Sequence, residues 1–341
     1  MKIKQLLLAV ILLAVVNTSR AADSTPSSST LLGIRGGELT LNGKSTFLLG
    51  FSYYGALGAH QDTVRRDLND AQRLGFNWLR MWGTWNAFDR NISAVGADGA
   101  PREPFLGKLK WLVAECDRRG LVVDVTLTRG GTLTNFAAHH RAVETLVEAL
   151  HAQRNWYLDL ANEHDVHDAR FVADAELKRL RDRVRRLDSS RLVTASFGGH
   201  DLTADDVSKA LRTIGFDFLA PHRPRTAQSP RETEDRTRAL SKLMHELGCV
   251  APIHYQEPFR RGYSGWEPKA EDFLTDLQGA RAGGAAGWCF HNGQQSDTAD
   301  KQPRRSFDLR EARLFDQLDA VEQKVVREGT GATEKATGAG L

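Results

Sequence analysis

Two glutamates in this 341-residue chain each stand directly after an apolar run that reads as a short strand. One closes Asn155-Trp156-Tyr157-Leu158-Asp159-Leu160-Ala161-Asn162-Glu163, and the other closes Pro252-Ile253-His254-Tyr255-Gln256-Glu257 before Pro258. A carboxylate at the end of a buried strand is costly unless it has a partner or a reaction to perform. Two that face each other can divide the work. Their repulsion raises the pKa of one, which then serves as a general acid, while an adjacent cation keeps the other ionised as a nucleophile. Arg80, in Leu79-Arg80-Met81-Trp82, ends another such run and is a candidate for that cation. The competing reading is that both glutamates only form salt bridges that close the structure.

The elements that must bring these residues together follow from the patterning. Strand-like runs fall near residues 48–51, 78–82, 122–127, 156–161, 192–196, 216–220, 251–256 and 285–290. Amphipathic segments follow at about 63–74, 106–118, 142–150, 171–187, 204–211, 232–247, 271–282 and 311–324. Short strands alternating with helices imply parallel strands joined by right-handed crossovers. Eight repeats, and no Gly-rich nucleotide fingerprint after the first strand, favour a closed (β/α)8 TIM barrel over a doubly wound sheet. A β-hairpin is expected before it, over residues 32–47, with turn signals at Gly36-Gly37 and Asn42-Gly43. In a parallel barrel the reactive groups sit at the C-terminal strand ends. Strands four and seven lie on opposite sides, so Glu163 and Glu257 converge across the mouth.

With these strand ends in order, the chain resembles glycoside hydrolase clan A, and most nearly the cellulase-like family 5, from Gly50 to Trp288. That family ends strand four with Asn-Glu, strand seven with a second Glu, strand two with an Arg and strand eight with a Trp. Here the matching residues are Asn162-Glu163, Glu257, Arg80 and Trp288. The resemblance implies a retaining glycoside hydrolase acting on a poly- or oligosaccharide without a cofactor, with Glu163 as acid/base and Glu257 as nucleophile. It also implies that Asn162 binds the sugar 2-hydroxyl. Retaining hydrolysis needs the two carboxyls about 5–5.5 Å apart.

Other residues complete the expected site. Tyr255 lies two positions before Glu257, so strand alternation puts both on one face, where its hydroxyl would hold the nucleophile. His222 follows strand six, where family 5 often carries His-x-Tyr. The third position here is Pro224, which leaves open what takes the tyrosine's part. Arg223 and Arg225 read equally as a surface turn or as substrate contacts; if they line the cleft, an acidic sugar is worth testing. Tyr53, Tyr54, Trp82, Trp85, Phe259, Tyr263, Trp266 and Trp288 crowd the mouth, and flat aromatic rings suit the C–H faces of sugars. Tyr54, Trp82 and Trp288 are expected to contact substrate, and about half of the set to be ordinary packing.

Two other classes compete. Glu163-His164-Asp165-Val166-His167-Asp168 packs five potential metal ligands into six positions. Metal-dependent barrel hydrolases, however, draw ligands from several strand ends, often an H-x-H on strand one, and here that strand ends in Phe51-Ser52-Tyr53-Tyr54. His139-His140 reads as a solvated helix start. A non-catalytic carbohydrate-binding barrel would have no need of both glutamates.

The ends read differently from the middle. Lys2 and Lys4 precede an apolar run over residues 6–16, and Ser19-Arg20-Ala21 offers a cleavage site, so residues 1–21 read as a signal peptide for a periplasmic or secreted protein. The run is too short to span a bilayer stably. Its loss removes three cations and no acid, which takes the formal net charge from +3 to 0. Broad attraction to nucleic acid or anionic membranes is therefore not expected. Residues 22–30 read as a flexible leader, 31–328 as the barrel and 329–341 as a disordered tail. Cys116, Cys249 and Cys289 lie in or beside apolar segments without metal spacing, which favours buried free thiols.

Overall fold

The computed structural model describes residues 28–261, 266–293 and 306–337. The expected signal peptide and Tyr263 lie outside them. Eight parallel strands form the frame. The first four are Leu48–Ser52, Trp78–Trp82, Val122–Thr126 and Trp156–Asp159. The fifth is split by Ala195 into Val193–Thr194 and Ser196–Phe197; Ala220–Pro221, His254–Tyr255 and Gly287–Phe290 complete the set. Parallel register runs from strand seven through eight and one to the first half of strand five. Ser196–Phe197 then pairs with strand six, and a bridge from Leu219 to Ile253 joins six to seven, closing the barrel.

Period-two alternation sorts the strands into an inner and an outer face. Leu48, Trp78, Val122, Tyr157, Phe218 and Cys289 form one buried cluster together with Leu32 and Leu39 from the segment before the barrel. That segment is the expected hairpin, Leu32–Arg35 antiparallel to Glu38–Leu41, extended by a third short strand, Lys44–Ser45. It closes the N-terminal end of the barrel and leaves the other end open. Gly50 is required because Trp78 fills the space beside it: a Cβ there would lie 2.0 Å from the Trp78 carbonyl oxygen. Phe51 and Leu79 face outward, where they pack with the helices in the main core.

Several expected boundaries shift. The leader is pinned from residue 28, because Ser28, Ser29 and Thr30 all hydrogen-bond to Asp117. The third helix is Phe136–Ala149, started earlier by the Asn135 side chain capping the Ala138 N–H. His139 is thus a buried helix residue held to the Leu160 carbonyl at 2.7 Å, not a solvated start. The last helix, Ala320–Thr337, runs past the expected limit at residue 328. All three cysteines are free, Cys116 and Cys289 buried and Cys249 half-buried. Among the described residues no helix is long and apolar enough to cross a membrane.

Candidate active site

The open end of the barrel holds a polar layer built on Arg80. As an inward residue of strand two it is completely buried, and its guanidinium meets three carboxylates. Nε lies 3.2 Å from Asp124, Nη2 donates to Asp159 at 2.9 Å and Nη1 donates to Glu257 at 3.2 Å. Nη2 also donates to the Asn162 side-chain oxygen at 3.0 Å, which leaves the Asn162 amide nitrogen without a partner among the described residues. Asp124 is so deeply buried, and so close to Asp159, that its carboxyl is pushed up to about 8 despite Arg80. Removing one member of a buried charge network strands the others. Arg80→Met is therefore expected to destabilise the fold by about 3–5 kcal/mol. Urea denaturation checks this, and an unchanged midpoint would contradict it.

Glu257 stands beyond the end of strand seven. Tyr54 donates to its Oε1 at 3.1 Å, and His291 Nε2 lies 3.1 Å from the same oxygen. Its Oε2 receives Arg80 and lies 3.0 Å from His222 Nδ1. Burial alone would raise its pKa, but His291, His222, Arg80 and Arg225 outweigh burial and hold it well below the usual carboxylate range.

Glu163 follows strand four in a left-handed backbone conformation, φ 48°, that side chains other than glycine rarely adopt. Strand five fixes it there, with the Glu163 N–H donating to the Ser196 hydroxyl and the His164 N–H to the Ser196 carbonyl. Its Oε1 lies 3.2 Å from His222 Nδ1 and accepts from Arg225 Nη2 at 3.4 Å, while Arg170 donates to Oε2. Burial raises its pKa and Glu257 adds to that, yet the contacts with His222 and Arg225 bring it below the ordinary value, less far than Glu257.

Atoms of Glu163, His222 and Glu257 lie within 4.8 Å of one another. A metal ion can bridge such a spacing. Here, however, the guanidiniums of Arg80, Arg170 and Arg225 already contact the two carboxylates, and that charge opposes a dication. The acidic run after Glu163 does not converge either. His164 packs on Phe197, His167 stacks on Phe171, and Asp165 accepts from the Gly198 N–H.

A cavity of about 610 Å³ opens beside the pair, lined by residues that include Trp82, Trp85, Thr128, Arg129, Asp168 and Arg170. Neither glutamate lines it, and Arg170 connects it to Glu163. Tyr54, Trp82 and Trp85 pack together with ring centroids 5.1–5.4 Å apart.

The structure thus brings together Glu163, Glu257, Arg80, Asn162, His222 and Tyr54, with Trp82 on the neighbouring cavity wall. It turns two expected residues away. The Tyr255 hydroxyl meets Thr237 at 2.6 Å on the helix Ser229–Glu246 behind the barrel. Strand seven ends at Tyr255, so the alternation does not reach Glu257, and Tyr54 supplies the hydroxyl instead. Trp288 is an outward residue of strand eight whose indole donates to Asp276 at 2.6 Å. The inward series there runs through Cys289 to His291, which takes the place expected of the tryptophan. Arg225 reaches both glutamates, whereas Arg223 turns to Asp201 and Thr233. Sequence reasoning missed His291, Arg170, Asp124 and Asp159. The two aspartates were legible as acids at inward positions of apolar strands, but nothing local marks Arg170.

The fold has clear relatives of known structure. The endo-1,4-beta-mannanase from Rhizomucor miehei aligns over 89% of this chain and 99% of its own, at 14% identity and a TM-score of 0.61. A putative glycoside hydrolase from Bacteroides vulgatus aligns over 90% and 61%, at 14% identity and 0.66. The beta-mannanase from Streptomyces thermolilacinus, solved with mannohexaose, aligns over 89% and 96%, at 16% identity and 0.57. At these identities the likeness establishes the shared (β/α)8 fold. No protein-family model and no curated protein sequence matches the chain.

Proposed function

We propose that this protein is a retaining glycoside hydrolase, exported by its N-terminal signal peptide to the periplasm or the medium, where it cleaves a poly- or oligosaccharide. The observation that carries this reading is the carboxyl pair at the barrel mouth. Oxygens of Glu163 and Glu257 fall within 4.8 Å of each other, in keeping with the close carboxyl pair of a double displacement. The names of the structural neighbours, mannanases among them, agree with a carbohydrate substrate.

The roles follow from the surroundings of each carboxyl. Glu257, held ionised with Arg80 and Tyr54 on its oxygens, attacks the anomeric carbon. Glu163, the less strongly depressed of the two, protonates the departing oxygen. Glu163 then takes a proton from the water that attacks the glycosyl-enzyme, which releases a sugar of unchanged configuration. A second sugar in place of water would give transglycosylation, since the first step is the same. Asn162, whose side-chain oxygen accepts from Arg80, binds the 2-hydroxyl through its amide N–H₂. Charge and geometry give no part to a metal, and activity is expected to be insensitive to chelators.

The test is a screen of neutral and acidic polysaccharides and oligosaccharides, with the first-formed product followed by NMR. Retained configuration at the new reducing end is the expected result. An inverted product would overturn the double displacement, and no cleavage of any glycan would overturn the hydrolase reading.

A further inference from the structure

The general acid of the proposed reaction is fully occupied. Arg170 donates to Glu163 Oε2, and His222 and Arg225 hold Oε1. In this state the carboxyl lies below its ordinary pKa and does not carry the proton that it must deliver. One cation has to withdraw before a glycosidic oxygen can take its place. Arg225 is tied down by backbone carbonyls, with Nε on Pro258 at 3.1 Å and Nη2 on Glu257 at 3.3 Å. Arg170 is held on its far side by Asp168, an exposed carboxylate, with Nη2 at 2.8 Å, and it faces the cavity.

Three buried donors belong to residues of the cavity wall. The indole nitrogens of Trp82 and Trp85 and the Nε of Arg129, all on residues that line the space, are buried and have no hydrogen-bond partner among the described residues. Buried donors left unpaired are costly, and a ligand that accepts from them recovers that cost. A neutral sugar offers hydroxyls, but nothing that offsets pulling a guanidinium off a carboxylate. An oxyanion offers both acceptor capacity and charge.

On the glycosidase reading, we propose that the sugar unit bound beside Glu163 carries an anionic substituent, a carboxylate or a sulfate ester. It is held by Arg170 and the indole N–H groups of Trp82 and Trp85, and it draws Arg170 away from Glu163. Recognition of the acidic sugar then also frees the general acid, so that a neutral sugar both binds less tightly and meets an acid still paired with Arg170.

The test is calorimetry on the catalytically silent Glu257→Gln variant with an oligomannuronate hexamer, a sulfated galactan hexamer, mannohexaose and cellohexaose. At least one acidic hexamer is expected to bind about 10- to 100-fold tighter than the neutral ones, as hydrogen bonds to a charged group imply. The preferred acidic hexamer identifies carboxylate or sulfate. Adding Arg170→Gln should erase the preference, so that acidic and neutral hexamers bind alike, and Arg170→Lys should restore part of it, with circular dichroism confirming that both fold. Equal binding of acidic and neutral hexamers, no binding of any, or a preference that survives Arg170→Gln overturns the proposal. The hydrolase reading is judged separately. Wild-type enzyme that cleaves mannohexaose with no acidic preference keeps that reading and loses this one. Acidic binding through Arg170 without cleavage of any glycan does the reverse.

Discussion

Glu257→Ala is expected to lower turnover by a factor on the order of 10⁴–10⁶, because it removes the atom that forms the covalent intermediate. Arg80 keeps Asp124 and Asp159 as partners in this variant, so the barrel should fold, and circular dichroism would check that. The side chain removed also opens a small space on the attacking side, bordered by Tyr54, His222 and His291. With an activated aryl glycoside, azide entering that space should attack the anomeric carbon directly and give a glycosyl azide of inverted configuration. Turnover at the wild-type rate would remove Glu257 from the mechanism. An azide product of retained configuration would instead assign the nucleophile to the other carboxyl.

Glu163→Ala should separate substrates by leaving group. Natural glycosides depend on a proton delivered to the departing oxygen, and losing general acid catalysis costs them about 10²–10⁴-fold. Aryl glycosides that depart as stable anions need no proton, so formation of the glycosyl-enzyme should be nearly spared and its hydrolysis should become limiting. Azide needs no general base and should speed that second step, giving a glycosyl azide of retained configuration. Equal loss on both substrate types would mean that Glu163 does not serve as the acid. The two azide outcomes are opposite, so together they fix which carboxyl does what.

Much of this site was legible in the chain. Asn162-Glu163 and Glu257 each follow an apolar run, Arg80 ends another, and the alternation of strands with helices calls for a barrel that gathers such ends at one mouth. The hairpin and its two glycine turns were readable from local chemistry alone. The two failures have separate causes. Tyr255 was placed beside Glu257 by period-two alternation, a rule that holds only while the chain remains a strand, and the strand stops at Tyr255. Trp288 was placed by resemblance, yet the register that pairs Gly287 with Leu48 turns Trp288 outward and Cys289 inward.

The sequence by itself determined which carboxyls stand at strand ends and how many strands carry them there, because patterning and strand order are local properties of the chain. It did not determine what surrounds those carboxyls. Tyr54 follows strand one, His222 and Arg225 follow strand six, His291 follows strand eight and Arg170 lies in the segment after Glu163. Closure of the barrel brings Tyr54, His222, Arg225 and His291 within 3.4 Å of Glu163 or Glu257, and the path of the chain after Glu163 folds Arg170 back onto it. Electrostatics depends on distance through space, and therefore the cations that set the state of each glutamate were decided by the tertiary structure.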